Sequence, residues 1–115
     1  MPIGVQQDFP GATIAQYDQV VKKMGFRPGG PGAHGALFHW VTKTDAGIRV
    51  VDVWESKDQF EKFAAAKIGP ITAEAGIPHP PKVTFFEIHN YLTKRLRRAP
   101  NGSPGPRQRV HSTAT

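Results

Sequence analysis

The chain has 115 residues, 38% of them hydrophobic, no cysteine, and a formal net charge of +6. This length fits one ordinary domain rather than two, and the missing cysteine excludes disulfides, thiolate metal sites and a thiol nucleophile. The charge is local: Lys94, Arg95, Arg97, Arg98, Arg107 and Arg109 fall in a stretch without acids, leaving nine basic against nine acidic residues in 1–93.

In chain order, Ile3 to Phe9 reads as a first strand, with Ile3, Val5 and Gln7 on one face, stopped by Phe9-Pro10-Gly11. Thr13 and Gln16 then form a Thr-x-x-Gln capping box. Ile14, Tyr17, Val21 and Met24 recur at helical spacing and mark the core stripe of a first helix, which Gly25 ends. Residues 26–35 are a Gly/Pro-rich loop. Ala36 to Val41 is a second strand, turning at 43–47 and returning as Ile48 to Trp54, which makes a hairpin.

Ser56 and Gln59 form a second capping box, and Phe60, Phe63, Ala64 and Ile68 are the buried stripe of the second helix. Pro70, having no amide hydrogen, is expected to kink or restart it. After Gly76 and the stiff Ile77-Pro78-His79-Pro80-Pro81 connector, Val83 to Tyr91 is the last strand. The order βαββαβ is that of the split βαβ unit and predicts an α+β, ferredoxin-like domain with a four-stranded antiparallel sheet over residues 1–93. Phe38 and Trp40 on one side of strand two, and Phe85 and Phe86 on opposite sides of strand four, make both faces apolar. The face without helices therefore needs a cover, and a second copy of the chain is the economical one. Residues 94–115, basic and rich in Pro, Gly and Ser, are expected to be a disordered tail.

The hairpin carries the polar residues that intrude on buried strands. A two- or four-residue turn gives facing positions an odd sum, which places His39 on one face with Val50, Asp52 and Trp54, and Arg49 with Phe38 and Trp40 on the other. An aspartate inside Val-Val-Asp-Val-Trp is costly to bury unpaired, and His39, one strand away, can satisfy it. Such a pair fixes one imidazole tautomer and supplies a base or hydrogen-bond donor in a pocket, or else is purely structural. Trp54 is either a pocket wall or a ring packed under the following helix against Phe60 and Phe63. His89 and Tyr91, sharing a face at the end of the last strand, are further candidates for ligand contact, or else surface residues. His34 and His79 belong to no metal-ligand spacing, and no phosphate loop, nucleophile elbow or dinucleotide fingerprint is present.

Val50-Val51-Asp52-Val53-Trp54-Glu55-Ser56, followed by Asp58-Gln59-Phe60 and closed by His89-Asn90-Tyr91-Leu92, resembles the antibiotic-biosynthesis-monooxygenase-like group of dimeric α/β-barrel proteins. It is similar above all to small actinobacterial members. The resemblance covers residues 1–93 and implies a homodimer formed through the open sheet face, with a small, largely apolar pocket in each subunit. The fold hosts cofactor-free monooxygenases, haem degraders and isomerases alike. Haem-degrading members use a tryptophan at the position of Trp54, an asparagine on the first strand and a histidine in the second helix. Here the first strand offers Gln6 and Gln7, and residues 57–75 contain no histidine, so no haem and no other cofactor is expected.

The functional expectation is therefore a pocket for an aromatic or polyketide-like molecule, with cofactor-independent monooxygenation or isomerisation as the chemistry. His39 and Asp52 are the catalytic candidates, and Trp54, His89, Tyr91, Phe38 and Trp40 the ligand contacts. A non-catalytic binding or dimerisation module with a filled interior is the alternative. Binding of nucleic acid is a third reading and rests on the basic tail alone. The opening Met1-Pro2-Ile3-Gly4 does not read as a signal peptide, and no stretch approaches the roughly 20 apolar residues of a membrane span, so a cytoplasmic protein is expected.

Overall fold

In the computed structural model, which describes residues 2–92, the elements run β1 (Ile3–Pro10), α1 (Ile14–Met24), β2 (Ala36–Lys43), β3 (Gly47–Trp54), α2 (Lys57–Phe63), a π-helical turn (Ala64–Ile68), α3 (Gly69–Glu74) and β4 (Lys82–Glu87). The expected tail, 94–115, lies outside the described residues. The four strands form one sheet in the order β2-β3-β1-β4, and every neighbouring pair is antiparallel. This is the ferredoxin-like α+β arrangement that the βαββαβ order predicts.

Local sequence sets most of these boundaries. Thr13 accepts from the Gln16 amide while the Gln16 side chain accepts from the Thr13 amide, so the first capping box is complete. Gly25 closes α1 in the left-handed conformation, φ 86°, which a side chain would disfavour. The second box is only half formed. Ser56 caps the Gln59 amide, but the Gln59 carboxamide donates to Glu55 instead of bridging back to the Ser56 backbone. Gly47 sits where β3 leaves the hairpin turn, so close to the Phe9 carbonyl that no Cβ would fit.

Pro70 stands in the first turn of α3, where the second helix restarts as expected, without a break in the chain of turns. The helix widens first: the Gly69 amide bonds the Ala64 carbonyl five residues back, and Pro70, which has no amide to donate, enters just after this wider turn. The extra residue brings Ile68 into the core, where it is 9% exposed.

The core lies between the sheet and the second helix, where Val5, Phe9, Ile48, Val50, Trp54, Phe60 and Ile68 are buried. Trp54 is its largest fully buried side chain, edge-on to Phe60 and tilted against Phe63. The first helix departs from its expected stripe: Val20 is buried, Tyr17, Val21 and Met24 are half-buried, and Ile14 is exposed. The reason is its packing. α1 leans on α3, joined by the Lys23–Glu74 ion pair at 3.5 Å and by Gln16 donating to the Gly76 carbonyl, and so stands off the sheet.

The last strand is shorter than expected and ends at Glu87. Among the described residues its only ladder is with β1, which begins at Ile3 opposite Glu87 after Pro2, and no described strand lies beside His89 and Tyr91. The sheet face away from the helices carries Phe38, Trp40 and Phe86, each 45–49% exposed. On the same face Arg49 Nε donates to Asp8 Oδ1 at 2.7 Å. That bond in particular, with the nearby charges of Arg49 and Lys82, holds the Asp8 carboxyl below its usual 3.8.

Candidate functional site

Because α1 leans away from the sheet, the interior is not filled. An open cleft of about 1660 Å³ lies between the sheet, α1 and the loop 25–35, walled by Phe9, Phe26, Val41, Val50, Trp54 and Phe63. The hairpin delivers its polar group to this cleft. Lys43 pairs with Ile48 across the turn and His39 with Asp52, so both side chains project toward the helices, on one face with Val50 and Trp54. A bulge at Leu37 shifts the register only beyond this point.

Four side chains form one hydrogen-bonded chain. Asp52, 5% exposed, accepts on both carboxylate oxygens: from Trp54 Nε1–H at 3.0 Å and from His39 Nδ1–H at 2.6 Å. With Nδ1 donating to the carboxylate, the neutral imidazole has its lone pair on Nε2. The Tyr17 hydroxyl lies 2.5 Å from Nε2 and donates to it, its ring nearly parallel to the imidazole at a 12° interplanar angle. Burial, reinforced by the negative charges of Asp52 and Asp18, pushes the Tyr17 phenol above its ordinary value of 10.0, so it keeps its proton at neutral pH. The chain thus runs from a buried carboxylate through an oriented imidazole to a phenol at the cleft.

A second polar group shares the cleft. Gln7 stands on the helix side of β1 between Val5 and Phe9, opposite Val50 and Val83, and is 3% exposed. Among the described residues its Oε1 is the one buried side-chain polar atom without a hydrogen-bond partner. An orphaned acceptor of this kind costs roughly 1–3 kcal/mol.

The structure brings together three of the residues singled out by sequence, His39, Asp52 and Trp54. Phe38 and Trp40 border the cleft along β2, but alternation turns their rings to the opposite face, paired with Val53 and Val51. His89 and Tyr91 lie beyond β4 and outside the cleft wall. Tyr17 was missed as a functional residue because its spacing with Ile14, Val21 and Met24 reads as core. The available signal was chemical: it is the one member of that stripe with a hydroxyl. Among the described residues no group of three or more His, Asp or Glu side chains is placed to hold a metal ion, and no helix is long and apolar enough to cross a membrane. The basic run Lys94–Arg98 lies outside the described residues.

Fold and site together define a ferredoxin-like α+β domain with a Tyr–His–Asp hydrogen-bond chain at an open cleft. Among solved structures, it is similar to a crystal structure of a monooxygenase from the gene ActVA-Orf6 of Streptomyces coelicolor, in complex with the ligand nanaomycin D. The identity is 17%, the match covers 82% of this chain and 92% of that chain, and the TM-score is 0.47. No family model matches the chain, and no curated protein does.

Proposed function

We propose that the cleft binds a flat, largely apolar phenol and that Tyr17, His39 and Asp52 take its proton. The observation that carries this reading is the hydrogen-bond chain itself, which ends on a phenolic oxygen at an aromatic-walled cleft. A ligand hydroxyl donates to the free lone pair of Tyr17. As the ligand O–H bond breaks, its proton passes to Tyr17 while the proton of Tyr17 passes to His39 Nε2. The result is a bound phenolate and an imidazolium held against the Asp52 carboxylate. Trp54 keeps that carboxylate oriented through its indole N–H.

A phenolate is the electron-rich form that reacts with dioxygen or tautomerises. With dioxygen as co-reactant, one oxygen atom enters the ring, the other leaves as water, and the phenol becomes a quinone. The protein's share is to bind, orient, deprotonate and exclude water. Monooxygenation and isomerisation both begin from this anion, and the cleft beside His39 disfavours the alternative of a filled, purely structural module. The proposal includes a second copy of the chain covering the open sheet face, where Phe38, Trp40 and Phe86 are exposed.

The test uses 2-hydroxyanthraquinone, whose phenolate absorbs at longer wavelength than the phenol. The wild-type protein is expected to bind it and to raise its phenolate fraction at a pH just below its free pKa. Tyr17→Phe and His39→Gln are expected to lose that colour change while melting cooperatively. An unchanged phenolate fraction in both variants overturns the proposal.

A further inference from the structure

The polar chain accounts for one end of the cleft and leaves the other unexplained. Gln7 sits there: it borders the cleft, it is 3% exposed, and its Oε1 has no partner. Buried amide oxygens are nearly always satisfied, so an orphan on a residue that borders a cavity points to a partner that arrives from the cavity. The neighbours of Gln7 offer none, because the facing residues are Val50 and Val83 and those two along the strand are Val5 and Phe9. Although Oε1 is covered, the terminal torsion of a glutamine is soft, so a small turn of the carboxamide presents the oxygen to the cleft at low cost.

Resting on the reading above, we infer that Gln7 is a second polar anchor for the ligand, accepting a hydrogen bond from a second hydroxyl or N–H remote from the group that meets Tyr17. Sheet geometry sets the separation. Gln7 lies two strands from His39 and two residues along, since Gln7 pairs with Val50 while His39 pairs with Asp52. With strands about 4.8 Å apart and a rise of about 3.4 Å per residue, the two Cα atoms are roughly 12 Å apart. After allowance for the inward-pointing side chains, that distance suits a frame of about two or three fused rings. The ligand class is therefore a fused polycyclic phenol with hydrogen-bond donors at opposite ends and an apolar middle, which the aromatic walls of the cleft cover.

The experiment compares 2,6-dihydroxyanthraquinone with 2-hydroxyanthraquinone by titration calorimetry, on the wild-type chain and on Gln7→Met, which keeps the length and removes the amide. The wild type is expected to bind the dihydroxy compound about tenfold more tightly, the scale of one well-made hydrogen bond. Gln7→Met is expected to lose that preference and to keep its affinity for the monohydroxy compound. Equal affinities in the wild type, or a preference that survives in Gln7→Met, overturn the assignment of Gln7 while leaving the Tyr17 site standing. Failure of both compounds to bind overturns both readings. Gln7→Leu serves as the second variant should Gln7→Met not fold, and the wild-type pair of affinities decides by itself should neither fold.

Discussion

On one side of the sheet Val5, Phe9, Ile48, Val50 and Trp54 are covered by helices of the same chain, whereas on the other Phe38, Trp40 and Phe86 are each 45–49% exposed. Both faces are apolar, yet they are polar in different ways. The covered face holds Asp52 and Gln7, nearly inaccessible and set against aromatic walls. The open face holds the Arg49–Asp8 pair, with side chains 43% and 28% exposed. A charge on the covered face must be fully hydrogen-bonded to persist, and Asp52 is, through His39 and Trp54. A charge on the open face is hydrated and buys little. Shielding by the helices, more than residue type, is what makes one face a candidate site.

The sharpest way to break that contrast is Trp54→Ala. It removes the largest buried side chain and strips Asp52 of one donor, so unfolding in urea is expected to show a loss of about 3–5 kcal/mol. A loss below about 1 kcal/mol would mean that the covered face is not packed as described. Asp8→Asn on the open face is expected to cost only about 0.2–1 kcal/mol at neutral pH. Because Arg49 holds the folded pKa of Asp8 below 3.8, the contribution of the pair is present above pH 3.8 and lost as the pH falls through the folded value. Wild type and variant should therefore converge in acid; a gap that persists there would assign the effect to something other than the ion pair. The smallest expected change in the fold of the single chain comes from Trp40→Ser with Phe86→Ser, within about 0.5 kcal/mol each. Sedimentation velocity is the readout for that pair of substitutions. A wild-type dimer that the substitutions turn into a monomer supports a second copy on this face, and an unchanged assembly removes it.

Much of this architecture was legible in the sequence because hairpin parity is arithmetic. A turn of even length puts His39 on the face of Val50, Asp52 and Trp54, and the ladder pairs it with Asp52. Capping residues likewise placed the starts of α1 and α2. What stayed hidden depends on how elements lean on one another. No periodicity reports that α1 tilts onto α3, and that tilt is what opens the cleft and carries Tyr17 to His39. The length of β4 was misread because the His-Asn-Tyr-Leu run has strand composition, while its end is set by where β1 begins. Gln7 could be placed on its face by alternation, but only the packed interior reveals that its carbonyl has no partner.

The π-helical turn at Ala64–Ile68 has a consequence for how such a domain can diversify. A π turn spends about one residue more than an α turn on nearly the same rotation, so deleting one of Ala64, Ala65 or Ala66 would return this turn to α-helix and leave everything from Gly69 onward facing as before relative to α2. The sheet, with its register and the His39–Asp52 pair, would be untouched, and Ile68 and Thr72 would keep their places on the cleft wall. A single-codon deletion in this alanine run is thus absorbed where it occurs, and the length of the helix can vary without reshaping the cavity.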